Sequence, residues 1–294
     1  MKIVVAFGGL GNVMFYYALA NSFRHKGAKS FVFLSKTNLE HYNYELQKVF
    51  PSISYWGNLN VFEKLYYSMI QKIRDFHYKK YKMPHKILFY PFIGLYSDQE
   101  PVRFLPSVFN DIEQNHFLIG HFQSYKYFDD YRASVLEEFR FSTDYLSENS
   151  KQMAKEINSC NSVSIHVRRG DYLNNYYFET LGKICDLDYY NRAIEVINTH
   201  VTNAHFFVFS DDPKYVADNL NIKNATYVDF NVGTDSWQDM YLMSQCKHNI
   251  IANSTFSWWG AWLNVNETKI VVAPHRWFAN IEEDEIVPNE WIRV

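Results

Sequence analysis

Residues 2–35 read KIVVAFGGLGNVMFYYALANSFRHKGAKSFVFLS, and their pattern decides the fold class. A short apolar run, KIVVAF, meets GGLGN, a glycine cluster suited to a tight turn. A helical period follows and stops at Gly27, the residue type that most often ends helices. SFVFLS is the next apolar run. The result is a strand–turn–helix–strand unit, and such a crossover joins parallel strands.

The alternation returns from Ser162 onward. SVSIHV (162–167), HFFVFS (205–210), ATYVDF (225–230), HNIIA (248–252) and KIVVAP (269–274) read as strands, the last of them closing the series. Helical stretches at 186–201, 212–220, 236–246 and 254–264 separate them. Short apolar strands alternating with helices imply a parallel sheet buried on both faces. HFLIGHFQSYKYF (116–128) reads as a strand and a loop, and 129–141 and 147–160 as helices. The polar junction of those two helices divides the chain into domains 1–150 and 151–294. We expect an α/β protein of two Rossmann-like domains facing a cleft. Residues 36–110 are less legible. Within them the basic, aromatic run 61–82 reads as a solvated helix, with contact at a membrane surface as its other use.

The 294 residues carry a formal net charge of −3, without the global basic field typical of nucleic-acid binders, so no nucleic-acid partner is expected. Aromatic residues make up 18% of the chain. Most serve packing, and some faces suit stacking on sugar rings. Cys160, Cys185 and Cys246 are odd in number, with neither metal-ligand spacing nor a disulfide framework, which points to a reducing compartment. The first apolar run is too short for a signal peptide, and no stretch approaches a membrane span. A soluble, cytoplasmic protein follows, in which the sequons at Asn224, Asn253 and Asn266 are incidental.

Ligands of open α/β sheets collect at the carboxyl ends of strands, and the polar oddities fall there. In GGLGN, Gly9 and Gly11 permit close backbone approach, and amides at a helix start suit phosphate. The dinucleotide fingerprint is incomplete: a third glycine is missing, and the second strand ends in Ser35 and Lys36 instead of an acid. A tight turn alone explains GGLGN equally well. In HVRRGDY (166–172), Arg168 and Arg169 end a buried strand with two permanent charges. Asp171, another acid or an anionic ligand must neutralise them. In SDDP (210–213) one aspartate serves as an N-cap before Pro213. The other gains a purpose if it accepts the paired N–H groups of a guanine edge. A metal lacks a third ligand there. STFS (254–257) offers hydroxyls and amides at a helix start, of which a plain cap explains one serine. A diphosphate between HVRR and STFS, with a base at SDD, describes a nucleotide-sugar site.

GGLGNVMFYYA, IGHFQSYKYF, HVRRGDY, FSDDP and DMYLMSQCKHNIIANSTFSWWGAWLN together resemble the bacterial α-1,2-fucosyltransferases of glycosyltransferase family 11, nearly end to end. The resemblance implies a GT-B-type fold, GDP-β-L-fucose as donor and inversion at the anomeric carbon, with no cofactor or metal. The acceptor it implies is a terminal galactose of an oligosaccharide or lipid-linked glycan. It makes 1–150 the acceptor side and 151–294 the GDP-fucose-binding domain. It also places Arg168 on the β-phosphate with His166 beside it, and Asp211, with Asp212 as second candidate, on guanine. Ser254, Thr255 and Phe256 fall on phosphate and ribose, and Asn12 of the glycine loop lies near the fucose and diphosphate. Val13 and Tyr16 stand where the family usually has Gln, so acceptor preference is unusual if that Gln touches the acceptor. Asp171 is either a general base or, in the favoured reading, the counter-ion of Arg169. The rivals are a fucosyltransferase of another linkage or acceptor, and a non-catalytic GDP-sugar-binding module. A Rossmann oxidoreductase is disfavoured by the missing acidic ribose ligand.

Overall fold

The computed structural model describes residues 1–34, 46–53, 57, 59, 61–69, 72, 88–90, 95–97, 102–110, 112 and 116–294. They form two α/β units, as the alternating pattern implies: Met1–Tyr44 with Pro51–Arg140, and Glu45–Phe50 with Phe141–Val294.

In the first unit β1 (Lys2–Ala6) lies between β2 (Ser30–Leu34) and β5 (His116–Ile119), parallel to both. β4 (Leu95–Ser97) continues the sheet parallel to β5, and β3 (Leu88–Tyr90) closes it antiparallel, in the order β2-β1-β5-β4-β3. The crossover helix Leu10–His25 is buried almost all round, which its run of apolar residues and small alanines permits. It ends where Gly27 takes a φ of 88°, with the Ala28 N–H donating to Phe23 O at 2.9 Å. Of the basic aromatic run, residues 61–69 are helical. Tyr66 and Tyr67 pack on Phe117, while Val61, Phe62 and Leu65 are exposed. The remainder of that run lies almost wholly outside the described residues.

The second sheet is parallel throughout, in the order β11-β10-β9-β6-β7-β8. Its strands are β6 (Asn161–Val167), β7 (Ala204–Ser210), β8 (Ala225–Val228), β9 (His248–Ile250), β10 (Val271–Ala273) and β11 (Ile292–Arg293). Side chains alternate across it. Val163, Ile165 and Val167 join Tyr189, Tyr190 and Ile197 of helix Leu187–His200. On the other face Phe207 and Phe209 pack with Leu242 and Met243 of helix Trp237–Gln245. On β6 that second face is polar: Ser162, Ser164 and His166, all buried. The Lys247 N–H donates to Ser162 Oγ at 3.1 Å and Asn249 Nδ2 to Ser164 Oγ at 2.7 Å, so the row is satisfied up to its histidine.

Two expectations need correction. The chain parts at Arg140, not at 150, because helix Glu148–Asn158 is bonded into the second unit. Gln238 Oε1 accepts from the Ser147 N–H at 2.8 Å, and Asn231 Oδ1 from the Ser150 hydroxyl at 3.1 Å. β10 is also not the last strand. The two-residue β11 joins it, anchored by Arg293 on the buried Asp284 at 2.8 Å. All three cysteines are free thiols. Asn224, Asn253 and Asn266 each donate their amide to backbone carbonyls, a structural use. Among the described residues no helix is long and apolar enough to cross a membrane.

Candidate functional site

The chain leaves β6 for β7 and β8 on one side, then returns to β9, β10 and β11 on the other. The order therefore reverses between β6 and β9, and the crevice outside their carboxyl ends is where such sheets bind ligands. Arg168–Leu173 follows β6, Asp211 and Asp212 follow β7, and Ser254 follows β9 at the start of helix Thr255–Trp262.

At the end of β6 Arg168 uses both terminal nitrogens, Nη2 to Asp171 Oδ1 at 2.7 Å and Nη1 to Asp211 Oδ2 at 2.8 Å. The Arg169 side chain is taken by the second acid, Nε donating to Asp212 Oδ2 at 3.1 Å, with its guanidinium 3.2 Å from the Tyr215 ring centre. The favoured pairing of Asp171 with Arg169 is thus overturned. Asp171 sits in the tight 3-10 turn Gly170–Leu173, which returns it to the side chain three residues earlier. The capping role falls on Asp212, whose Oδ1 accepts from the Tyr215 N–H at 3.1 Å before Pro213. Asp211 has its own purpose: Oδ1 takes the Arg169 N–H at 2.9 Å while Oδ2 holds Arg168. That carboxylate lies so close to Gly170 that an added Cβ would stand 2.6 Å from Oδ2, so the motif's glycine is there for space. The cluster joins two arginines to three aspartates. Its positive charge is already more than balanced.

His166 is buried, and desolvation, then the nearby Arg168 charge, pushes its pKa down to about 3. It is a neutral ring at physiological pH. Its Nδ1 has no hydrogen-bond partner among the described residues, and its ring centre lies 5.8 Å from that of Phe256. Ser254 occupies the cap position but makes no side-chain capping bond, so the plain-cap explanation fails for it. A helix start carries partial positive charge and amides without intrahelical acceptors. A buried neutral imidazole beside such a turn suits an anion that also accepts hydrogen bonds.

Sequence reasoning passed over Tyr172 and Asn253. The Tyr172 hydroxyl donates to Asn253 O at 3.0 Å, and burial raises its pKa. Asn253 Nδ2 donates to Leu181 O and Trp277 O, both at 3.1 Å. The pair ties the arginine loop to the segment that enters helix Thr255–Trp262. The signal was present in HVRRGDY, whose tyrosine carried no weight beside its arginines. Asp239 was passed over too. Burial pushes its carboxyl up to about 7, and Asn231 Nδ2 donates to it at 2.8 Å. A recess of about 500 Å³ lies on the Arg169 side, bordered by Val167, Leu173, Tyr190 and Tyr215, and touches none of Arg168, Asp211 or Ser254.

The expected residues divide between the units. His166, Arg168, Asp171, Asp211, Asp212, Ser254, Thr255 and Phe256 belong to the second, and Gly9, Gly11 and Asn12 to the first. Gly9 caps the first helix and Gly11 lies inside it, whereas Gly8, not anticipated, takes the left-handed φ of 89°. A Cβ at Gly8 would run into Asn12 Nδ2. Asn12 Oδ1 accepts from Gln123 Nε2 at 3.0 Å, so the post-β1 turn is fixed by the loop after β5. Val13 and Tyr16 are fully buried in the helix Leu10–His25.

The chain belongs to glycosyltransferase family 11, whose family model (Glycosyl transferase family 11) matches residues 4–294. It is 33% identical over 302 residues to the O-antigen biosynthesis glycosyltransferase WbnK of Escherichia coli, covering 98% of each chain. To an α-1,2-colitosyltransferase of Escherichia coli it is 36% identical over 180 residues, covering 60% of this chain and 61% of that one. Among solved structures, NodZ α-1,6-fucosyltransferase aligns with a TM-score of 0.46 at 12% identity, over 89% of this chain and 92% of that one.

Proposed function

We propose that this glycosyltransferase moves L-fucose from GDP-β-L-fucose, with inversion, to the 2-hydroxyl of a terminal galactose in an oligosaccharide or lipid-linked glycan. The observation that carries the reading is Arg168 at the switch point of the parallel sheet, in a unit that also presents the start of helix Thr255–Trp262, where Ser254 makes no side-chain capping bond. In the reaction the acceptor oxygen attacks the anomeric carbon, and the bond from that carbon to the β-phosphate oxygen breaks with its electron pair. Charge grows on GDP. Arg168 and the first-turn amides meet it, a contribution that is usually the largest in such sites. Asp211 reads the guanine edge, since each carboxylate oxygen keeps a second lone pair beyond its present bond. Asn12, Gly9 and Gly11 serve the sugar and acceptor side.

The reading is metal-free, because Arg168 and the helix start meet the charge that grows on the diphosphate. A second donor is worth testing on one observation, the 36% identity to an α-1,2-colitosyltransferase. Peripheral contact with the cytoplasmic face of a membrane is supported by the exposed Val61, Phe62 and Leu65. The test incubates the protein with GDP-fucose or the colitose donor and a panel of β-galactosides, followed by linkage analysis. An α-1,2-fucosylated galactoside is expected, in unchanged yield with EDTA. Loss of product in EDTA, restored by magnesium or manganese, would recast the aspartates as metal ligands. Donor binding without product would mark a binding module, and another linkage would move the assignment within the family.

A further inference from the structure

The arginine expected to hold a diphosphate already has both terminal nitrogens on carboxylates. A diphosphate brought to that cluster adds negative charge to a group whose acids outnumber its arginines. Something has to leave, and the two partners of Arg168 are held very differently. Asp211 is fixed by three constraints: the Arg169 N–H on Oδ1, Arg168 on Oδ2, and the close approach of Gly170. Asp171 has one ion pair, on a side chain that is 53% exposed. Exposed pairs of this kind are weak, so exchanging this one is cheap.

We propose that Asp171 is an exchangeable counter-ion: the donor's β-phosphate displaces it from Arg168 Nη2, and the released carboxylate becomes the proton acceptor for the incoming hydroxyl. This rests on the GDP-fucose reading above. The step balances. The acceptor's O–H proton passes to Asp171 as its oxygen bonds to the anomeric carbon. The electron pair of the broken bond stays with the β-phosphate of GDP, against Arg168. The proton is then lost to solvent, and Asp171 returns to Arg168 as GDP departs. One residue thus links donor arrival, base availability and product release. The base is uncovered only when donor is present.

The deciding experiment titrates GDP, ADP and inorganic pyrophosphate into wild type, Asp171→Asn and Asp171→Ala, with melting temperature as the folding control and kcat measured on the same preparations. Removing a competing carboxylate should tighten GDP and pyrophosphate binding about two- to fivefold, the size of an exposed ion pair. kcat should fall by about 10²-fold or more in both variants, as for loss of a general base. Weaker GDP binding in Asp171→Asn would show that Asp171 orients Arg168 for phosphate, and would overturn the exchange. A kcat within about threefold of wild type would overturn the base role and the proposal with it. Tighter pyrophosphate binding without preference for GDP over ADP would leave the displacement standing and sink the guanosine-donor reading, so the two fail separately.

Discussion

Arg168 is the residue on which the proposed chemistry turns, and its geometry says why lysine is no substitute. Its planar fork reaches Asp171 with one terminal nitrogen and Asp211 with the other. A single ammonium nitrogen cannot stand at both of those positions at once, as the two terminal nitrogens of the fork do. Arg168→Lys should lower kcat by about 10²-fold or more while melting stays near wild type. A folded lysine variant with near-normal turnover would remove Arg168 from the mechanism. The neighbouring arginine shows how adjacency misleads. Arg168 and Arg169 reach different acids after β6 has ended: Arg169 has φ −128° and ψ −60°, outside the extended region. Strand alternation therefore assigns neither counter-ion, and the return of Asp171 to the first arginine depends on the 3-10 turn.

Tyr172 supplies one of the bonds by which elements meet at the crevice. It joins the loop after β6 to the segment after β9 by a hydrogen bond to Asn253 O, while its ring centre lies 5.8 Å from the Arg168 guanidinium carbon. Tyr172→Phe keeps the ring and removes only the link. Losing one buried hydrogen bond costs about 1 kcal/mol. If the link positions the two phosphate-side segments, GDP affinity should fall about threefold to tenfold with melting lowered by no more than about 4 °C. Unchanged GDP affinity would confine Tyr172 to packing. The strands of both units were legible in their apolar runs, and helix Leu10–His25 in its period and Gly27. β3, β4 and β11 were not: the first two fall within the less legible stretch 36–110, and β11 is only two residues long.

For the whole molecule the consequential group is Asp239, a buried carboxyl in the polar joint that holds helix Glu148–Asn158 to the second unit. Its pKa in the fold is about 7, raised by burial from an ordinary value near 3.8. The folded state therefore holds its proton more tightly than the unfolded chain. The stability this confers is full below about pH 4 and is lost as pH rises through about 7. Asp239→Asn, whose amide oxygen can still accept from Asn231, should flatten that decline and raise stability at pH 8 by up to a few kcal/mol. Denaturant unfolding of both proteins at pH 5 and pH 8 measures it. Equal pH slopes would show that Asp239 ionises freely in the fold. The same joint explains the early domain boundary: composition marks a polar junction near 150, but Gln238 and Asn231 bind its helix from some ninety and eighty residues away.

The sequence by itself determined the α/β class, the strand-end location of the polar motifs and the family, because periodicity and local motifs are short-range properties of the chain. It also named both arginines and the acids that meet them. Only the tertiary structure decided the pairing: Asp171 and Asp211 on Arg168, Asp212 on Arg169, and Tyr172 on Asn253. The reason is physical. Which charge meets which depends on strand order and loop curvature, and the parallel sheet sets β6, β7 and β9 side by side although some forty to eighty residues separate them in the chain.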